Sequence, residues 1–288
     1  METKFKIPER TDRNGPSDKA VCECKHNLRK PTKLYQRKKI QQEGVSHLQP
    51  EILNCSHKGY PAEVPLYCLP IKARTMKDLE EKILEGVVFA DIIEIWLCEL
   101  KDMDLEFLKN LQSKIKKPFL YVLKPKNENG KFVGTHKQKV ELLIKSLDYG
   151  ASYVDIGVKT NKILIKKLIR EAKKKKVKVI ISYHNFKKTP SSGAFRALYL
   201  KMKNLNPDII KFATYINKPN DIASLFNLII RSQKESQPII TLGMGEKGKI
   251  TRILAPKLGN YLYYAPIRQK YTTADGQMTY TELINYWK

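Results

Sequence analysis

From Val64 onward the chain alternates between two hydrophobic rhythms. Apolar runs of strand length appear at VPLYCLPI (64–71), ADIIEIWL (90–97), KPFLYVLK (117–124), SYVDIGV (152–158), VKVIISYHN (177–185), DIIKFATYI (208–216), QPIITLGMG (237–245) and NYLYYAPI (260–267). Between them lie segments such as TMKDLEEKILEGV, DLEFLKNLQSKI, KQKVELLIKSLDYG, NKILIKKLIREAKKK and PNDIASLFNLIIRSQ, and MTYTELINYW follows the last run. In these segments apolar residues recur at three- and four-residue spacing, the period of an amphipathic helix. The strand runs are continuous rather than alternating, which predicts strands buried on both faces in a parallel sheet under helices. Eight such units in about 225 residues suit a (β/α)8 TIM barrel. A doubly wound open sheet is the competitor. The near-equal units, with no Gly-rich dinucleotide fingerprint after the first strand, favour the barrel.

Residues 1–62 lack this periodicity and are rich in Pro, Lys, Arg, Gln and Asn. They predict a basic, flexible N-terminal extension, with the barrel spanning 63–288. Cys22, Cys24, His26, Cys55 and His57 fall in the extension, but Cys-x-Cys-x-His is not a usual zinc spacing, so no metal is expected. The stretch LRKPTKLYQRKK (28–39) could touch nucleic acid through its cations and one tyrosine. A solvated tail is the favoured reading.

Charge widens the choice less than its size suggests. Lys+Arg 54 against Asp+Glu 29 gives a formal net charge of +25. That could attract nucleic acid, an anionic membrane surface or anionic small molecules. The cations are mostly lysines scattered along the whole chain rather than gathered in a patch, which favours a lysine-rich surface and makes nucleic acid the lesser candidate. No apolar run reaches membrane-spanning length, and METKFKIPERTDRNG lacks the apolar core of a secretory signal. Five cysteines in no framework spacing predict reduced thiols and a cytoplasmic location.

Chemistry in such a barrel sits at the C-terminal ends of the strands. There the chain places Glu94, Lys124 with Glu128 just beyond, Asp155, His184, Lys211, the GMGEKGKITR segment with Arg252, and the loop RQKYTTADGQ with Gln277. Lys211 stands inside an apolar strand, where lysine is rare unless compensated. Desolvation and nearby positive charge lower a lysine pKa, and a neutral amine can attack a carbonyl to form a Schiff base. A histidine, which titrates near neutrality, can then take the proton that the imine acidifies. Each residue also has a plain reading. Lys211 could snorkel to the rim, His184 could be a bonded core histidine, and Glu94 and Asp155 could be partners for lysines. GMGEKG looks like a phosphate-cradling loop, a weak signal alone. The combination carries the expectation.

From about Val64 to the C-terminus the chain resembles the type I 3-dehydroquinate dehydratases of the shikimate pathway of aromatic amino acid biosynthesis. The matching stretches are ISYHNF (181–186), DIIKFAT (208–214), MGEKGKITR (244–252) and TADGQ (273–277). The resemblance implies Lys211 as the imine-forming lysine, His184 as the acid–base group and Glu128 as the carboxylate that holds and tunes it. It further implies Arg252 on the substrate carboxylate, Thr273 and Gln277 in a lid loop, and Glu94 on substrate hydroxyls. A homodimer, and a reaction needing neither metal nor organic cofactor, are implied in the same way.

The chain also departs from the family pattern. Trp96 and Cys98 replace an arginine and an aspartate on strand two, and Lys124 replaces an arginine that would bind substrate. Asn129 stands in a Glu-Gly-Gly motif, Gly157 replaces a glutamate, Thr251 and Thr273 replace serines, and Asp275 replaces a proline. Lysine keeps the charge of arginine but not its planar fork. Two alternatives follow: a related Schiff-base lyase or aldolase acting on another keto-hydroxy acid, and a non-catalytic barrel binding nucleic acid or protein through its basic surface.

Overall fold

The computed structural model describes residues 65–288. The expected extension over 1–62, with its cysteines and histidines, lies outside the described residues. The described part runs β1 (Leu66–Ile71), α1 (Met76–Gly86), β2 (Ile92–Trp96), α2 (Leu105–Ile115), β3 (Phe119–Val122), α3 (His136–Ser146), β4 (Ala151–Gly157), α4 (Lys162–Lys174), β5 (Lys178–Asn185), α5 (Ser192–Lys203), β6 (Ile209–Tyr215), α6 (Pro219–Lys234), β7 (Ile239–Met244), α7 (Lys249–Leu254), β8 (Leu262–Tyr264) and α8 (Tyr280–Trp287). This is the alternation that the two rhythms predict. Helices α5 and α7 lie in stretches where the helical period is blurred. In α5 the buried residues Phe195, Tyr199 and Met202 keep helical spacing, but apolar neighbours at Leu198 and Leu200 hide it.

The strands are parallel, in the order β7-β6-β5-β4-β3-β2-β1-β8. The seam between β7 and β8 is closed largely by one side chain. Asn260 Oδ1 accepts from the Thr241 amide at 2.7 Å, and its Nδ2 donates to the carbonyls of Leu262 (2.8 Å) and Thr241 (3.3 Å). The Tyr261 amide adds a bond to the Ile239 carbonyl at 2.8 Å. Buried backbone groups at a sheet edge need partners, and here the amide side chain supplies them.

Alternation along each strand sorts the core into two. One set, including Ile93, Tyr121, Ile181 and Phe212, packs outward under the helices. The other, including Cys68, Ile92, Leu120, Ile180, Ile209, Ile240 and Leu262, fills the barrel interior. The helices cap with the residues their sequences offer: Thr75 Oγ1 accepts from the Asp78 amide, and α3 opens with a Thr135–Gln138 capping box. Position 211 shares the inward parity of Ile209 and Ala213, so the strand turns Lys211 into the barrel.

Candidate active site

The interior of the barrel is apolar near the strand starts and becomes polar toward their C-terminal ends. Lys211, 5% exposed, donates to Tyr264 Oη at 3.1 Å and lies 3.5 Å from Glu94 Oε2 and 3.9 Å from Asp155 Oδ2. The Tyr264 ring also sits beneath the ammonium, 4.2 Å from its centroid. Glu94 is held from its other oxygen by the Trp96 indole N–H at 2.8 Å. On the neighbouring strand Ser182 is in register with Lys211, and His184 with Ala213. His184 is therefore one inward step nearer the mouth than the lysine.

A second buried group lies beside this one. Lys124 Nζ contacts Asp155 Oδ1 at 2.6 Å, Ser182 Oγ at 3.1 Å and Glu128 Oε2 at 3.6 Å. Burial alone would raise the Asp155 carboxyl, but the charges of Lys124, Lys211 and His184 together outweigh it and hold the group at about 2. Glu128 stands well below the usual carboxylate range for the same two opposed reasons, burial against the charge of Lys124, with His184 assisting. Glu128 Oε2 lies 3.4 Å from His184 Nδ1, an ion-pair distance without hydrogen-bond alignment. Such contacts tighten when substrate arrives.

His184 has its pKa lowered, first by burial and then by Lys124, with Glu128 pulling the other way. It is thus neutral, and able to accept a proton, below the ordinary histidine midpoint. The acid limb of kcat/KM should accordingly fall with an apparent pKa below about 6.5. A pH–rate profile checks this, and a limb above that value would contradict it.

Arg252 closes the set from α7. It is 3% exposed, its Nε has no hydrogen-bond partner, and among the described residues no carboxylate lies within ion-pair distance of it. Burial pushes its pKa down to about 10, while Asp275 pulls it back up. A buried, unpaired guanidinium is costly unless an anion joins it. Above it the loop after β8 is folded down, with Thr273 and Gln277 buried. Gln277 Oε1 accepts from the Thr273 amide at 2.7 Å and from its hydroxyl at 3.2 Å. The loop tip passes so close to the backbone of Gly245 that a Cβ at Gly276 would meet its carbonyl oxygen, and Gly276 has φ +69.

The structure brings most of the expected residues to one cavity. Glu94, Glu128, His184, Lys211, Arg252, Thr273 and Gln277 all line it. Lys124 does not; its ammonium is taken up by Asp155, Ser182 and Glu128. Asp155 is the lysine partner that its strand position suggests. Tyr264 and Ser182 went unremarked in the sequence. Tyr264 shares the inward parity of Leu262 on β8, a strand of three residues. The GMGEKG glycines do not cradle an anion. The Gly243 amide bonds Thr251 Oγ1, that of Gly245 bonds the Asp275 carbonyl, and that of Gly248 bonds the Gly245 carbonyl. Among the described residues no group of His, Cys, Asp and Glu could hold a metal ion, and no helix is long and apolar enough to cross a membrane.

Comparison with known proteins agrees with this geometry. A family model described as type I 3-dehydroquinase matches residues 67–288. The 3-dehydroquinate dehydratase of Coxiella burnetii is 31% identical over 225 residues, covering 78% of this chain and 93% of the relative. That of Methanocaldococcus jannaschii is 32% identical over 225 residues, covering 77% and 98%. The crystal structure of a type I 3-dehydroquinate dehydratase from Clostridium difficile with covalently modified comenic acid superposes with a TM-score of 0.71 at 26% identity, covering 78% of this chain and 92% of that one.

Proposed function

The chain belongs to the type I 3-dehydroquinase family, and on that premise we propose that it dehydrates 3-dehydroquinate to 3-dehydroshikimate through an imine on Lys211. The observation that carries this reading is a buried lysine sharing one cavity with a histidine and with an arginine buried without an ion pair.

The steps follow from those groups. Lys211 Nζ attacks the ketone carbon, and the resulting carbinolamine loses water to give a protonated imine. That cation draws electrons from the adjacent carbon. His184 removes a proton there, leaving an enamine, and returns it to the departing β-hydroxyl, which leaves as water. Water then hydrolyses the imine, freeing product and lysine, so the net change is the loss of one water. Glu128 steadies His184 and offsets the charge that the ring gains. Lys124 acts through Glu128 and Asp155 as a positioning residue. Glu94, fixed by Trp96, faces the hydroxyl side of the substrate, and Arg252 takes its carboxylate.

Turnover is tested by following formation of the conjugated product by its ultraviolet absorbance. Appearance of 3-dehydroshikimate supports the reading; no product from folded protein contradicts it. Arg252→Lys should raise KM about 10- to 100-fold, the scale of a lost charge-assisted hydrogen bond, with kcat much less affected. Steady-state kinetics separates the two effects.

The setting we propose is a cytoplasmic homodimer in the shikimate pathway, an expectation carried by the family resemblance. Cys68 and Cys98 are free thiols, which suits a reducing compartment. Light scattering tests the dimer.

A further inference from the structure

We propose that Asn129 is a latch that fastens the loop after β8 to the rigid segment carrying Glu128, so that the loop closes against a fixed edge of the site. This rests on the reading of the cavity as a dehydratase site. Asn129 Nδ2 donates to the Thr273 carbonyl at 2.9 Å, across 144 residues of sequence. Its own carbonyl accepts from Lys72 Nζ at 2.6 Å, and Lys72 lies over the Trp96 ring, 4.0 Å from the centroid. Asn129 is thus gripped from the end of β1 and grips the loop in turn.

The segment is stiff enough to serve as that edge. Residues 126–128 form a 3-10 turn, and Asn129 closes it in the left-handed region at φ 63, which asparagine tolerates. The Phe132 amide bonds the Lys124 carbonyl at 2.9 Å, and the Gly130 amide bonds that of Pro125 at 3.1 Å. A Cβ at Gly130 would collide with the Lys124 backbone, so the turn has little room to shift. Glu128 adjoins the latch directly. On its far side the loop is held by the bond from the Gly245 amide to the Asp275 carbonyl at 3.3 Å. The loop is therefore held at Thr273 and again at Asp275, and Gln277, bonded to Thr273 at 2.7 Å, is drawn in with it. Thr273 and Gln277 both line the mouth of the cavity that holds Lys211 and His184, so the latch sets how the loop lies over a bound substrate.

Asn129→Gly and Asn129→Asp test the latch. Glycine keeps the positive φ without strain. Aspartate keeps the shape and the left-handed tolerance but turns an acceptor toward the Thr273 carbonyl. Amide hydrogen exchange of the unliganded protein, read on peptides covering 268–278, should speed up about fivefold in both variants, the scale of one lost hydrogen bond. Peptides from β6 should be unchanged. kcat/KM should fall by a similar factor through KM. Unchanged loop exchange with unchanged KM in both variants would overturn the proposal. Exchange is measured without substrate, so it reports on the latch separately. Failure of the functional reading would show instead as wild-type protein inert toward dehydroquinate.

Discussion

Lys211→Met is expected to abolish dehydration, lowering kcat by a factor on the order of 10⁴ or more, because the covalent electron sink is lost as a whole. Methionine preserves most of the lysine's apolar stem. The remaining charges keep partners: Glu94 retains the Trp96 N–H at 2.8 Å, and Asp155 retains Lys124 at 2.6 Å and Ser182 Oγ at 2.6 Å. The variant should therefore fold. Arg252 and the loop residues are untouched, so product should still bind within about tenfold of the wild-type affinity. Far-UV circular dichroism, steady-state turnover and product titration together check this. A variant that is folded, binds product and still turns over at a tenth of the wild-type rate would remove Lys211 from the mechanism.

Lys124→Met should act mainly on stability. Asp155 is wholly buried and Lys124 is 2% exposed, so the substitution leaves a carboxylate in the barrel without its ammonium. Removing one partner of a buried pair costs about 3–5 kcal/mol, and for a domain of this size that lowers Tm by roughly 6–20 °C. The pH dependence has a definite sign. In the wild type the folded carboxyl is held at about 2, below its unfolded value near 3.9. Its contribution is thus present above about pH 4 and lost as pH falls through about 2. Lys124 has its pKa raised; burial opposes this, but the charges of Asp155 and Glu128 win. Its share is full below the unfolded lysine value and lost as pH rises through the folded one. In the variant burial is less opposed and the carboxyl is raised, so the deficit should begin to narrow above about pH 4, as protonation relieves the carboxylate, and go on narrowing below it as the wild type loses its own contribution. His184 also loses a positive neighbour, so the acid limb of kcat/KM should move to higher pH. Thermal denaturation across pH, beside a rate profile, tests both parts. A Tm within a degree or two of the wild type would mean that the pair contributes nothing net.

Much of this was legible from residue periodicity. An apolar parallel strand turns alternate residues inward, so a lysine in DIIKFAT or a histidine at the end of ISYHN has few places to be except the barrel mouth. The resemblance then named roles that position alone left open. Legibility stopped where contacts depend on closure. Lys124 was expected on substrate because it stands where the family has a substrate-binding arginine, yet three polar partners, from two strands and one loop, surround its ammonium. Tyr264 lies on a three-residue strand, too short for alternation to announce which of two adjacent tyrosines faces in. The GMGEKG glycines carry a phosphate-loop composition, but their amides are consumed by Thr251, the Asp275 carbonyl and their own turn. The bond from Asn129 to Thr273 joins segments 144 residues apart, and no local pattern encodes it.

The central claim is the imine. The most direct measurement is the intact mass of the protein after 3-dehydroquinate and borohydride, followed by peptide mapping. The account predicts a reduced adduct on Lys211, absent in Lys211→Met. Folded protein that gains no mass, or gains it on another lysine, would contradict it.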